Sequence, residues 1–296
     1  MNSICLEDAG RKIGNRWAVR GAGFEIMRGE IFGIFGGAGS GKTALIELIA
    51  GRAVPDEGAV EFRVDGNQGV SSWVSLASQK PGLASDLSVV ENLRLFASLW
   101  GVKRRSRQSR ISMFIQLLGL ADVRGRRVGE LSQGQVTAAE IAKSLIPVVD
   151  VYAIDGLIER LDPAVRKRVW EYILSRKRHG ETFIVGTSFG REASMCDRIA
   201  VLVRGSVVFL GTPNDLVAEM NSEVVAVESM NTPILKSQIS DRFGSVVVER
   251  NGMLEIRSSD ASAEAAEILS RSASDVSCLY LRCPTLDDAL EELERR

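Results

Sequence analysis

The 296-residue sequence predicts an α/β fold built on a parallel sheet and followed by a small α+β domain. Three observations predict it. A short apolar run, Ile31 to Phe35, passes through Gly36-Gly37-Ala38-Gly39-Ser40-Gly41-Lys42-Thr43 into a helix-forming stretch, Ala44 to Ala50. A second apolar run, Val148 to Ile154, delivers Asp155 at its C-terminal end, the edge where open α/β sheets gather their chemistry. Beyond about Met220 the rhythm becomes strand, helix, strand, strand, helix, strand and a closing helix, the order of a ferredoxin-like unit. The expected division is therefore a large domain over 1–220 and an accessory domain over 221–296.

The loop between Phe35 and Ala44 carries the first functional conclusion, because it matches the pattern GxxxxGKT at every fixed position. Glycines let backbone N–H groups curl around phosphate oxygens, and the helix that follows adds partial positive charge at its N-terminus. In such loops the lysine reaches the β and γ phosphates and the following hydroxyl ligates Mg²⁺. Those roles fall to Lys42 and Thr43, with Gly36, Gly39, Ser40 and Gly41 as the cradle.

Taken in order, Ile4 to Leu6, Trp17 to Val19 and Phe24 to Met27 read as strands, with a turn at Arg28-Gly29-Glu30. After the first helix, Pro55 to Gly58 reads as a turn and Ala59 to Val64 as a strand. Asp65-Gly66-Asn67 reads as another turn, and Trp73 to Ala77 as a strand ending at Ser78-Gln79-Lys80-Pro81. From Ser88 to Ala142 the spacing turns helical, with Val89, Asn92, Leu93, Phe96 and Leu99 on one face and Ile111, Phe114, Ile115 and Leu118 on another. The basic run Lys103 to Arg107, echoed by Arg124, Arg126 and Arg127, reads as a solvated helical surface, or as a contact for a partner or anionic lipid head groups. A helix around Val165 to Ser175, a strand over Thr182 to Thr187 and a hairpin across Arg204-Gly205-Ser206 complete the large domain. In the tail, strands are expected at Val224–Val227, Val246–Glu249, Leu254–Arg257 and Val276–Leu281, with helices at Pro233–Arg242, Ala263–Ser270 and Leu286–Leu293.

Bulk properties exclude several classes. A net charge of −1 gives no global attraction to nucleic acid, and none is expected as a partner. Cys5, Cys196, Cys278 and Cys283 lack metal-ligand spacing and read as reduced thiols of a cytoplasmic protein. No run of about eighteen apolar residues exists, and Glu7 and Asp8 stand where a signal peptide would be apolar. Membrane work is left to a partner.

Several separated motifs now stand in one order, and together they resemble the ATP-binding cassette (ABC) ATPases. Gln79 stands at the place of the family's Q-loop, Leu131-Ser132-Gln133-Gly134-Gln135 resembles the signature LSGGQ, Asp155 the Walker B aspartate, and Leu161-Asp162-Pro163 the D-loop. Within the family, Gly211-Thr212-Pro213 and the closing Pro284-Thr285-Leu286-Asp287-Asp288 resemble the ATP-binding subunits of ABC-2 type exporters. The resemblance implies a P-loop NTPase of ABC type, with a mixed sheet core, a β-subdomain and a helical subdomain over about 88–142. It implies ATP and Mg²⁺ as ligands, with Thr43, Gln79 and Asp155 about the metal. It also implies a head-to-tail pairing with a second cassette, in which Ser132, Gly134 and Asp162 meet shared nucleotide, and transmembrane permease subunits that place the protein at the inner face of the cell membrane.

Against the family's pattern LDEPTxGLDP the chain reads Ile154-Asp155-Gly156-Leu157-Ile158-Glu159-Arg160-Leu161-Asp162-Pro163. Gly156 therefore replaces the glutamate that polarises the attacking water, a contribution of order 10² to 10⁴ in rate. Glu159, three residues further on, is expected to point elsewhere. Ser188 replaces the switch histidine, while His179, the single histidine, lies in a basic helix end and reads as a C-terminal cap. The aromatic that stacks on adenine would fall at Ile13, with Trp17 either its replacement or a core residue. The expectation is a cassette that holds ATP and hydrolyses it poorly, paired with an intact cassette in preference to a second copy of itself. A non-transport regulatory protein that uses ATP-dependent dimerisation as a switch is the alternative.

Overall fold

The computed structural model describes residues 3–63, 74–80, 82–229, 232–243, 247–250, 252–272 and 275–295. Contacts divide the chain into two compact units, one up to Pro213 and one from Asn214 to Arg295. The turn expected at Asp65-Gly66-Asn67 lies outside the described residues, as do Val64, Trp73, Pro81 and Val246 at the ends of expected elements.

In the first unit, β1 (Ser3–Ile13) and β2 (Arg16–Met27) form a long antiparallel pair, and β3 (Ile31–Phe35) runs into the glycine loop and α1 (Lys42–Ile49). Next, β4 (Glu57–Arg63) returns to the free edge of β1, giving a three-stranded sheet. The sequence reads three short strands where two long ones exist. Register shifts between Leu6 and Lys12 are the reason, with Asp8 at φ 47° and Gly21 at φ 62°. Each bulge breaks the alternation by which a strand is recognised.

After β5 (Val74–Ala77), the helical stretch from Ser88 resolves into α2 (Val89–Leu99), α3 (Arg104–Leu117) and α4 (Gln133–Leu145). Ser88 starts α2 through a reciprocal capping box with Glu91. Then come β6 (Val151–Asp155), a 3₁₀ turn over Ile158–Arg160, α5 (Pro163–Lys177), β7 (Thr182–Thr187), the short α6 (Gly190–Ala193), β8 (Arg198–Val203) and β9 (Ser206–Gly211). β6 starts at Val151 instead of Val148, which stays exposed; the Tyr152 hydroxyl donates to the Pro147 carbonyl just upstream at 2.9 Å.

The main sheet has the order β5-β6-β7-β3-β8-β9, parallel except for the last pair. Every residue of β3, β6 and β7 is buried, so these strands read as unbroken apolar runs, as in parallel sheets covered on both faces. One apolar core joins Ile4, Leu6 and Phe24 of the small sheet to Leu45, Ile46 and Ile49 of α1 and to Phe32, Ile34 and Ile184 of the main sheet. That core fixes the glycine loop between the two sheets.

The second unit begins inside α7 (Pro213–Glu219) and contains β10 (Glu223–Ser229), α8 (Thr232–Phe243), β11 (Val247–Arg250), β12 (Met253–Ser258), α9 (Ala261–Ser272), β13 (Val276–Arg282) and α10 (Leu286–Arg295). Its antiparallel sheet has the order β11-β12-β10-β13, the split β-α-β arrangement of ferredoxin-like folds. Val225, Val227, Leu254 and Ile256 pack one face of that sheet against Leu235, Ile239, Ala265 and Ile268 of α8 and α9. On the opposite face, Arg250 and Arg282 both donate to the buried Asp288 carboxylate of α10, at 2.9 and 2.6 Å, and Thr285 adds its backbone N–H and hydroxyl at 2.8 Å each. Burial alone would raise the Asp288 carboxyl, but these bonds hold it below the usual carboxylate range.

Candidate nucleotide site

The glycine loop emerges where β3 ends and closes on α1. Gly41, the residue before α1, has φ 107°, and a Cβ there would lie 2.2 Å from the Ala18 carbonyl oxygen. Only glycine serves at that point. A Cβ on Gly39 would meet nothing within 4 Å, so the loop is tight toward β2 and open on its outer side. The β8–β9 turn locks the arrangement, since Gly205 N–H donates to the Ser40 carbonyl and Arg20 N–H to the Gly205 carbonyl, each at 2.9 Å.

Lys42 is buried, and its ammonium donates to the carbonyls of Gly36 and Gly37 at 2.7 Å each, which places the charge over the loop. Thr43 Oγ1 donates to Asp155 Oδ2 at 2.7 Å, joining α1 to the end of β6 two strands away from β3. Burial raises the Asp155 carboxyl above its ordinary value, while the Thr43 hydrogen bond and the Lys42 charge pull it back. Among the described residues, Asp155 Oδ1 and Ser40 Oγ are both buried without a hydrogen-bond partner. Orphaned acceptors of this kind, beside a lysine and a hydroxyl, suit a phosphate-bound divalent cation. Mg²⁺ is held by one or two carboxylates plus phosphate oxygens and water, not by an all-protein cage. Among the described residues no cluster of three or more His, Cys, Asp or Glu side chains exists to form such a cage.

Gln79 reaches the same place with its amide already engaged. Arg160 donates to Gln79 Oε1 at 2.8 Å, and Gln79 Nε2 lies 2.7 Å from where a Cβ on Gly156 would stand. Arginine can only donate, so the oxygen faces Arg160 and the NH₂ faces Gly156. Arg160, which occupies the glycine place of the family's pattern, was not singled out by sequence reasoning; that mismatch is the signal by which it can be found.

Gly156 has φ +60°, and Glu159 corrects an expectation. Its spacing suggested that it points away, yet Glu159 Oε1 lies 3.6 Å from the Cβ position of Gly156. The chain bends at Gly156 and at the αR Leu157 before it enters the 3₁₀ turn over Ile158–Arg160, and this sequence of bends brings Glu159 back beside residue 156. Glu159 Oε2 accepts from the buried Thr187 hydroxyl at 2.8 Å, and Thr187 Oγ1 accepts from Phe189 N–H at 3.0 Å. Ser188 follows at the end of β7, partly buried. His179 is exposed at the end of α5, with Nδ1 2.9 Å from the Ser175 carbonyl, in the last turn of that helix and not at the loop.

The signature residues are presented outward. Ser132 caps α4, its hydroxyl accepting from Gln135 N–H at 3.4 Å while Gln135 Oε1 accepts from Ser132 N–H at 3.0 Å. Ser132, Gln133 and Gly134 are exposed, and a Cβ on Gly134 would meet nothing of this chain within 4 Å. Asp162 caps α5 by accepting from Ala164 N–H at 2.9 Å. Trp17 is half-buried instead of core. It lies one residue from the Ala18 carbonyl that abuts Gly41, with Lys12 Nζ 4.4 Å and Arg20 Cζ 5.5 Å from its ring centroid.

Strand, phosphate loop and helix, with a carboxylate delivered by the next strand but one, define a P-loop nucleotide site. The chain carries the ATP-binding domain of the ABC transporter family: the family model described as ABC transporter matches residues 19–157. It is 32% identical over 213 residues to the probable multidrug ABC transporter ATP-binding protein YbhF of Escherichia coli (strain K12), a match covering 71% of this chain and 37% of that protein. The chain thus spans little more than a third of that relative. Nod factor export ATP-binding protein I of Burkholderia orbicola (strain AU 1054) is 28% identical over 246 residues, 80% of each chain. The fold is similar to that of a solved ATP-binding cassette, described as a dimeric post-hydrolysis state bound to ADP and Pi, with TM-score 0.63 and 21% identity over 71% of this chain and 98% of that one.

Proposed function

We propose that this chain is the ATP-binding subunit of an ABC-2 type exporter that binds Mg-ATP at a hydrolysis-impaired site and completes the site of a partner cassette. The observation that carries the reading is an asymmetry within one site. Lys42, Thr43 and Asp155 converge on the loop, whereas Gly156 and Ser188 stand where the family's pattern has glutamate and histidine. Gly36, Gly39, Ser40 and Gly41 complete the phosphate cradle, Gln79 joins the metal after turning its amide, and Trp17 offers a face for adenine. Ser132 and Gly134, exposed at the start of α4, together with Asp162, meet nucleotide held by the second cassette. A hetero-pair with a catalytically intact cassette suits this division better than a homodimer. Bound ATP then holds the pair closed while the partner supplies turnover.

The names of the relatives, multidrug transport and Nod factor export, support an export role. Among the described residues no helix is long and apolar enough to cross a membrane, so transmembrane permease subunits are separate partners in this reading, with the cassette on the cytoplasmic face. The accessory domain, 221–296 by sequence, is part of the same subunit. The test is equilibrium Mg-ATP binding beside steady-state ATPase. Wild type should bind, and Lys42→Ala should lose binding; equal affinity in that variant overturns the phosphate-loop assignment. Turnover of the chain alone near an ordinary enzyme value of about 10 s⁻¹ overturns the impaired-site assignment.

A further inference from the structure

We infer that Glu159 is the carboxylate that activates water at this chain's own site, a stand-in for the side chain Gly156 lacks. The inference rests on the ATP-binding reading above and deepens it, since it assigns the site's residual turnover to a named group.

Three observations carry it. First, Glu159 Oε1 lies 3.6 Å from the Cβ position of Gly156, beside the Gln79 amide at 2.7 Å, so a carboxylate stands in contact with the point from which a residue-156 side chain would start. Second, the carboxylate is positioned. Oε2 accepts from Thr187, which is 1% exposed at the end of β7, and Oε1 takes no hydrogen bond among the described residues. Third, the backbone beneath it is pinned. Arg166 donates to the carbonyls of Glu159 and Leu161 at 2.8 and 3.1 Å, and Gly156 N–H donates to the Gly186 carbonyl at 2.9 Å. An oriented carboxylate with one free oxygen is what a general base requires: geometry first, then proton affinity.

In the assigned step, the water oxygen forms a bond to the γ-phosphorus while the bond from that phosphorus to the bridging oxygen breaks. The electron pair leaves with ADP, and Glu159 Oε1 takes the water proton before passing it to phosphate or solvent. No oxidant, reductant or further reactant is needed. Without a histidine at Ser188, and with the carboxylate arriving from a neighbouring turn, the step is slow; turnover falls below the family's ordinary range without vanishing.

The rival explanation is that Glu159 only braces Thr187. Glu159→Gln separates the two, because the amide keeps an acceptor oxygen for the Thr187 hydroxyl and nearly the same shape but loses the basic carboxylate. Purified full-length chain in excess over radiolabelled Mg-ATP gives a single-turnover rate, with Mg-ATP affinity and melting temperature measured in parallel. Glu159→Gln should lower the rate about 10²-fold or more, keep affinity within about threefold, and retain unhydrolysed ATP on the protein. Thr187→Val should lower the rate less and leave binding intact. A Glu159→Gln rate equal to wild type overturns the inference, as does a wild type that binds Mg-ATP with no measurable hydrolysis. Both results leave the binding reading standing. Failure of wild type to bind Mg-ATP overturns that reading, and the inference with it.

Discussion

Placing an ordinary side chain at Gly156 should cost stability that divides into two measurable parts. The first part is backbone strain: at φ +60° an L-residue costs roughly 1–2 kcal/mol relative to glycine. The second is displacement. A Cβ would sit 2.7 Å from Gln79 Nε2, so the amide has to turn and its 2.8 Å bond with Arg160 is lost, a net cost of about 1 kcal/mol. Gly156→Ala should therefore destabilise the first unit by roughly 2–3 kcal/mol, lowering its melting temperature by about 5–10 °C. Urea unfolding of wild type, Gly156→Ala, Gln79→Ala and the double variant closes the cycle. The coupling term should be about 1 kcal/mol and favourable, and the strain term should persist on the Gln79→Ala background. Gly156→Ala within about 0.5 kcal/mol of wild type, the range of ordinary surface changes, would refute the reasoning. The same strain predicts that Gly156→Glu alone does not bring turnover to ordinary values, since its carboxylate starts from a left-handed backbone and meets Glu159.

Other perturbations test the remaining structure. Gly134→Glu should leave melting temperature and Mg-ATP affinity unchanged, because nothing in this chain lies within 4 Å of the added Cβ, yet abolish ATP-dependent pairing by sedimentation. Trp17→Ala should weaken Mg-ATP binding by about 1–2 kcal/mol, roughly five- to thirtyfold, in a titration, with little change when inorganic triphosphate is the ligand. Asp288 sets an acid limit on the second unit. Its carboxyl is lower in the folded than in the unfolded chain, so its contribution is complete above the unfolded value near 3.8 and lost as pH falls through the lower folded one. Asp288→Asn should destabilise that unit by about 3 kcal/mol at neutral pH and flatten the fall in stability between pH 5 and 2, read by circular dichroism.

What the sequence revealed follows the range of the interactions involved. The phosphate loop was legible because its chemistry is local: glycines, a lysine and a hydroxyl within eight consecutive positions, after an apolar strand. β6 and β7 were legible because a strand buried on both faces is an unbroken apolar run. β1 and β2 were not, because bulges around Asp8 and Gly21 interrupt their alternation. Glu159 was misread for a different reason. Spacing alone does not reveal the left-handed backbone of Gly156 or the tight turn that follows it, and together these bring residue 159 back beside residue 156. The contact between Arg160 and Gln79 joins residues 81 positions apart, and the Asp288 cluster gathers arginines from two separate strands onto a helix. Neither leaves a periodic trace.

The segment after β5 is fastened at both ends. Gln79 is held by Arg160, and Gly82 N–H donates at 3.1 Å to the buried Glu140 of α4, the helix that Ser132 opens. A divalent ion drawn to Gln79 Oε1 would compete with the Arg160 guanidinium, cation against cation at one oxygen. The guanidinium bond, about 1 kcal/mol at this exposed position, would then set a threshold on metal loading. By reciprocity, metal loosens Arg160 by the same factor by which Arg160 resists metal. Gln79 and Gly82 stand three positions apart, so whatever displaces the Gln79 amide acts close to the tie that holds the signature helix α4.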